Sequence, residues 1–308
     1  IGDPIVDEYV TCEPLGMSQE DPTIVVTPVD TQRFIGGTAI VAAHAVGLGA
    51  EAHFLGATGN DEPGRYADRE LRNCGVDTHL LCDDTRPTTL KQRFRASGMT
   101  LLRVSHLHQE SIDLDLQDQI FQRFDELASS CQLLVFSDFN YGCLPQALVD
   151  RIVIRARDIG LTMAADSQCS SQIGDVSRFK GMDLLTPTEH EARVSLRNQQ
   201  DGLIVLTESL RSRSRARNII LKMGAEGAIL NMREGDGLPQ TDRMPELNPL
   251  PRDVVGAGDS LLISSAMAMT AGATPWEAAY IGSVAAAVQV SRVGNVPLDR
   301  LDLVREFC

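Results

Sequence analysis

Leu133-Leu134-Val135-Phe136, then a helix candidate over 145–159, then Leu161-Thr162-Met163-Ala164-Ala165: this stretch sets the fold class of the chain. Both strand-like runs are continuously apolar rather than alternating, the pattern of strands buried on both faces of a parallel sheet. Ile219-Ile220-Leu221 repeats the pattern further along, and helix candidates at 37–48, 63–73, 116–128, 258–271 and 275–290 complete a βαβα rhythm. The expectation is an α/β fold with a doubly wound, mostly parallel sheet and helices on both faces.

Two stretches break that rhythm. Residues 23–34 and 88–105 are strand-rich, and the second bends at Ser97-Gly98-Met99. With Gly98 at the tip, Arg93 faces Arg103 across a hairpin, and Lys91, Arg93 and Arg95 share one face through the two-residue period of a strand. A basic face of this kind is either a solvated edge protected by charge or a surface for an anion. The Arg-rich 211–217 reads as a solvated helix end or loop.

Composition narrows the classes of function. The chain has 308 residues, 43% hydrophobic and 23% charged, which sets aside disordered and low-complexity readings. Its formal charge of −14 opposes binding to phosphate backbones or anionic lipid, so neither nucleic acid nor membrane is the expected partner. Seven cysteines, at 12, 74, 82, 131, 143, 169 and 308, form no CxxC pair, so neither a disulfide framework nor a zinc knuckle is indicated. No apolar run reaches the roughly 18 residues of a membrane span, and a cytoplasmic location is expected. The opening Ile1-Gly2-Asp3 reads as a strand trimmed of its first residues. Histidines at 44, 53, 79, 106, 108 and 190 make no HExxH, there is no GxSxG, and Gly2-Asp3-Pro4 stands where a Rossmann dehydrogenase would carry GxGxxG.

The strongest local signal is Asp253-Val254-Val255-Gly256-Ala257-Gly258-Asp259-Ser260, followed by a helical run of small apolar residues to Gly272. Gly-Ala-Gly ahead of a helix lets bare N–H groups converge on an anion, with the helix dipole adding about half a positive charge. An acid in the first turn is equally an ordinary helix cap.

A second glycine signature accompanies it. Gly36-Gly37 precedes a small-residue helix and Phe54-Leu55-Gly56, then Gly59-Asn60-Asp61-Glu62-Pro63-Gly64. Together the two resemble the paired signatures of the ribokinase-like carbohydrate kinases, the PfkB family, over essentially the whole chain. Further stretches look like one branch, the heptose 7-phosphate kinase domain of the bifunctional heptose kinase/adenylyltransferase. They are Gly2-Asp3 with Asp7 and Tyr9; Ser18 to Pro22; Pro87-Thr88 with Lys91, Arg93 and Arg103; Ser137-Asp138-Phe139; and Leu184 to Pro187 with Glu191. The nucleotidyltransferase half, with its HxGH signature, is absent, which implies a kinase-only protein or a chain ending at a domain edge near Cys308.

The resemblance implies a single kinase domain over 1–308 whose β lid, about 9–35 and 86–106, closes over a sugar. It implies ATP and magnesium, with potassium as a further cation, and transfer of the γ-phosphoryl group to a sugar hydroxyl. Carried over by position, Asp259 is the general base, and the N–H groups of Gly256, Ala257 and Gly258 form the anion hole. Asp3, Asp7, Gly36, Gly37, Lys91, Arg93 and Arg103 fall to the sugar or its phosphate. Lys222, Gly224 and Gly227 fall to the nucleotide, Glu191 to the magnesium shell through water, and Asp253 to a monovalent cation. A homodimer through the lid is also implied.

The chain departs from the family pattern at five positions. Ile40 replaces an asparagine, Tyr141 and Gln168 each replace a lysine, Thr188 replaces another asparagine, and Val255 replaces a threonine. Losing polar contacts from a site built for them is enough to change substrate. What the resemblance implies is a sugar kinase acting on a heptose 7-phosphate-like sugar phosphate, and the departures bear on the substrate rather than on the chemistry. Another sugar or nucleoside is the alternative, as is a catalytically weak sugar- or nucleotide-binding regulator on the same fold.

Overall fold

The computed structural model describes residues 1–168 and 174–307. Cys169 and Cys308 lie outside them. In chain order the elements are β1 (Pro4–Met17), β2 (Ile24–Gly37), α1 (Thr38–Gly47), β3 (His53–Thr58), α2 (Glu62–Asn73), β4 (Asp77–Cys82), β5 (Thr89–Ala96) and β6 (Met99–His106). There follow α3 (Leu114–Ala128), β7 (Leu133–Asp138), α4 (Gln146–Asp158), β8 (Thr162–Ser167), β9 (Leu184–Leu185), α5 (Glu189–Leu196), α6 (Leu203–Ser214) and β10 (Asn218–Lys222). The last are β11 (Ala228–Met232), β12 (Gln240–Met244), α7 (Ala257–Thr270), α8 (Pro275–Val290) and α9 (Arg300–Glu306). All six helix candidates form within a few residues of their expected bounds, whereas α5, α6 and α9 were not foreseen.

The main sheet runs β12-β11-β10-β9-β8-β7, parallel from β10 to β7 and antiparallel at the β11 and β12 edge. Residues 1 and 2 join it to the parallel pair β3-β4. The Ile1 amino group donates to Val135 O at 2.8 Å, Ser137 N to Ile1 O at 3.1 Å, and Gly2 N to Leu55 O at 3.2 Å.

The continuous apolar runs follow from this layering. In β10, Ile219 and Leu221 point into one core cluster with α3, α4 and α6, while Ile220 points into another with α7 and α8. In β8, Met163 and Ala165 divide from Ala164 in the same way. Each run of about four such residues removes side chains from water on both faces, worth roughly 1.5–3 kcal/mol for each large one.

The two irregular stretches form a second sheet, β2-β1-β5-β6, with β1 and β5 parallel and the other pairs antiparallel. The tip is where the sequence puts it: Ser97 and Gly98 both take positive φ, 50° and 81°, and Arg93 pairs with Arg103. The sheet is more deeply rooted than a lid beginning near residue 9, because Pro4 to Val10 are all buried. At its other root, Asp61 caps α2 by accepting from Gly64 N at 2.9 Å and also accepts from Thr88 N at 2.8 Å, the residue before β5. The arginine-rich 211–217 closes α6, with Arg215 in the left-handed region.

One carboxylate thus fixes a helix start and the entry to the hairpin. Asp61→Ala is expected to cost about 1–3 kcal/mol, a cap plus a second buried bond, read as a lower urea midpoint at unchanged slope.

Candidate active site

Asp259 is the third residue of α7, after the Gly256 cap, and its side chain is buried. Gly256 adopts φ 80°, a left-handed conformation that suits glycine. The Ala257 N–H bends back to Val254 O at 3.4 Å, while those of Gly256, Gly258 and Asp259 take no acceptor among the described residues. These are orphan donors of a helix start, aimed where an anion is best accommodated. Of the three N–H groups expected to form an anion hole, those of Gly256 and Gly258 are thus without an acceptor among the described residues, as is that of Asp259, while that of Ala257 is engaged.

Behind the loop lies an ion pair that the sequence reading missed. Lys222 Nζ, at the end of β10, is 2.6 Å from Asp166 Oδ2 in β8. A Cβ on Gly258 would stand 3.0 Å from that ammonium, so the pair sits directly beneath the loop. Burial alone would lower the Lys222 pKa, but Asp166, Glu191 and Asp259 outweigh it and hold the group charged. Burial raises Asp166 to about 6, opposed by Lys222 and reinforced by Glu191. Burial, with the charge of Asp166, pushes Asp259 up to about 7. A carboxyl poised there is suited to exchange a proton at neutral pH. Gln168 Nε2 lies 3.4 Å from Asp259 Oδ1, in the place where the family pattern has lysine.

Glu191 is the third residue of α5. Its Oε2 accepts from Thr188 N at 2.7 Å in a capping box, and its charge reaches Asp166 and Lys222. Thr188 is thus the cap itself. Asp166, Glu191 and Asp259 set three carboxylates around one ammonium, a hard-oxygen group that suits a magnesium-bound nucleotide. Asp253 is engaged differently: Oδ2 accepts from Tyr9 Oη at 2.8 Å and Gly294 N at 3.0 Å, and Oδ1 from Val255 N at 3.2 Å. With three protein donors on its carboxylate, its evident role is to tie the glycine loop to β1 and to the turn after α8, and no step is assigned to potassium.

The sugar-side residues divide. Asp7, in β1, accepts from Arg93 Nη1 in β5 and from Asn295 Nδ2 at 3.0 Å. Asn295 Oδ1 is buried without a partner and would be 2.3 Å from a Cβ on Gly256, so this unforeseen residue links Asp7 to the phosphate loop. Arg93 Nη1 pairs with Asp7 and its guanidinium lies 5.3 Å from the Tyr9 ring, while its buried Nε takes no partner among the described residues. Asp3 is engaged by backbone. It accepts from the backbone N–H groups of Phe139, Tyr141 and Cys143, at 3.0, 3.4 and 3.1 Å, and so shapes the loop after β7.

Lys91 sits 5.1 Å from both the Phe139 and Tyr141 rings, and its charge reaches Asp259. Tyr141, which replaces a lysine, thereby holds one. Arg103 is exposed on β6 with no ion-pair partner among the described residues. Gly36 and Gly37 end β2 opposite Ile5 and Pro4. Ile40 is fully buried in a cluster with Phe54, Leu71 and Val76.

On the nucleotide side, Gly224 faces open space. Gly227 is required for another reason: a Cβ there would meet Met244 O at 2.1 Å, so it serves the approach of β12. A cavity of about 680 Å³ between β3 and β7 is lined by Leu55, Phe124 and Leu133 and by none of these chemical groups.

A helix-start anion cradle beside a poised carboxylate, on a doubly wound sheet, defines a phosphotransferase. The chain belongs to the pfkB family of carbohydrate kinases, whose pattern it matches over residues 6–299. It is 28% identical to the bifunctional protein HldE of Helicobacter hepaticus over 96% of this chain and 60% of that protein. With HldE of Campylobacter jejuni subsp. doylei it is 27% identical, over 100% and 63%. The chain thus spans about 60% of the length of these curated relatives. Its fold is similar to that of phosphofructokinase-2 from Escherichia coli in complex with potassium, with a TM-score of 0.77 at 16% identity over 98% of this chain and 95% of that one. It is also similar to Arabidopsis thaliana ribokinase complexed with ribose and ATP, with a TM-score of 0.74 at 18% identity over 99% and 96%.

The Asp7–Arg93 pair is nearly buried, with side-chain exposures of 6% and 15%. Arg93→Met or Asp7→Asn alone is expected to cost about 3–5 kcal/mol in urea unfolding, and the double variant less than the sum. Purely additive costs would remove the tie.

Proposed function

We propose that the chain is an ATP-dependent sugar kinase, a single domain over 1–308, that phosphorylates a hydroxyl of a heptose 7-phosphate-like sugar phosphate. The observation that carries this reading is Asp259, buried with its pKa raised to about 7 beside the unspent N–H groups of Gly256 and Gly258. Asp259 takes the proton of the acceptor hydroxyl as its oxygen bonds to the γ-phosphorus. The bond from that phosphorus to the bridging oxygen breaks, and ADP leaves with the electron pair. The loop amides hold the transferring group, and Lys222 balances charge beneath it. Magnesium, when bound, neutralises nucleotide phosphate charge, and Glu191 and Asp166 are the residues that would hold its shell.

The acceptor class is supported by the HldE relatives, which match the chain end to end, and by the lid cations. Lys91, Arg93 and Arg103 are the cations proposed to meet a distal phosphate, Arg93 through donors other than the Nη1 that Asp7 engages. Pairing of two lids is supported by exposed apolar side chains on that sheet, including Leu15, Met17, Ile24, Val29, Met99 and Leu102. Among the described residues no helix is long and apolar enough to cross a membrane, and the five described cysteines are free.

ADP release with magnesium-ATP and potassium, over heptose 7-phosphate, hexoses, hexose phosphates, ribose and nucleosides, tests the reading. Turnover is expected first on heptose 7-phosphate and should fall at least about 100-fold in Asp259→Asn with ATP still binding. Because the base works ionised, kcat/KM should rise with pH through about 7. Turnover on another sugar alone would move the substrate. Silence across the panel with ATP bound would favour a regulator.

A further inference from the structure

We propose that His53, Asp77 and His79 form a binding site for a divalent transition ion of the zinc, cobalt and nickel class, independent of the phosphotransferase site. β3 and β4 are parallel partners, and their register sets His53 beside Asp77 and Leu55 beside His79. The strand period of two returns His79 to the face of Asp77, so three ligand-type side chains from two adjacent strands meet on one side of the sheet edge.

Their atoms converge. His53 Nδ1 is 2.8 Å and His79 Nε2 3.0 Å from the same Asp77 Oδ2, and the ligand atoms of all three residues lie within 4.8 Å of one another. Ligands at about 2.0–2.1 Å from a common ion stand about 2.9 Å apart at right angles and about 3.3 Å apart in a tetrahedron, so only small shifts are needed. The imidazoles now donate to one oxygen. With each proton on the other ring nitrogen, His53 Nε2 and His79 Nδ1, both lone pairs would address the same point. No oxidation or reduction is involved.

The neighbouring cation, Arg72, feels the charge of Asp77 but makes its hydrogen bonds elsewhere. Arg72 is held by both oxygens of Asp68, at 3.1 and 3.0 Å. Two imidazoles and one carboxylate favour borderline ions over magnesium or calcium, which prefer all-oxygen shells. Asp77 is half exposed, with 54% of its side chain accessible, so solvent water can complete the coordination. An ion here would pin the edge strand β4 to β3 and stabilise the fold by binding the native state.

The test uses the full chain freed of metal, in excess magnesium, titrated with zinc by calorimetry and with cobalt by absorption. One equivalent is expected, with cobalt d–d bands, no thiolate charge-transfer band, and a zinc-dependent rise in Tm. His79→Ala should weaken binding by more than the 10–100-fold that loss of an outer-shell partner typically costs. His79→Gln, closer in shape, guards against misfolding and should show the same loss. Cys82→Ser should bind as the parent does. Binding that survives in the His53→Ala/His79→Ala chain, a thiolate band lost with Cys82→Ser, or no stoichiometric uptake would each overturn the site.

Discussion

The constraint on which the site depends is the burial of the Asp259 carboxyl at the start of α7 over the Asp166–Lys222 pair. An acid raised from 3.8 to about 7 costs folding free energy once ionised. The folded state binds that proton more tightly than the unfolded chain. Stability from this group is therefore full below about pH 4 and is lost as pH rises through 7, at most about 4 kcal/mol. Lys222 limits the loss, and the two core clusters flanking β8 and β10 hold the arrangement in place.

The lid sheet is part of the same construction. β1 starts in the core and carries Asp7 and Tyr9 outward. Tyr9 reaches Asp253, while Asp7 reaches Asn295 and Arg93. The phosphate loop, the turn after α8 and the hairpin are thereby joined through side chains of one strand. Arg93 belongs to this tie through its Nη1 bond to Asp7.

Much of this was legible in the sequence because its cause is local. Two-sided apolar runs gave the parallel strands, Ser97-Gly98 gave the hairpin and the facing arginines, and Gly-Ala-Gly gave the helix start. The helix α6 was hidden by its β-branched opening, Leu203-Ile204-Val205-Leu206, which reads equally as a strand. The capping box of α5 is legible as Thr188 and Glu191, but the family pattern draws Glu191 toward the magnesium shell and marks Thr188 only as a replaced asparagine. What the sequence withheld was long-range. Asp7 and Asn295 are 288 residues apart, and Lys222 and Asp166 are 56 apart, so no spacing could announce either pair. Asp3 and Gly227 each have a backbone role, at the loop after β7 and at the approach of β12, which a motif does not separate from contact with a ligand.

The most direct test is the ionisation of Asp259 itself, followed by carboxyl carbon NMR in the ligand-free protein and assigned by its absence in Asp259→Asn. The account predicts a midpoint near 7. A midpoint near 4, that of a solvated carboxylate, would contradict it and leave Asp259 as an ordinary acid in the first turn of α7.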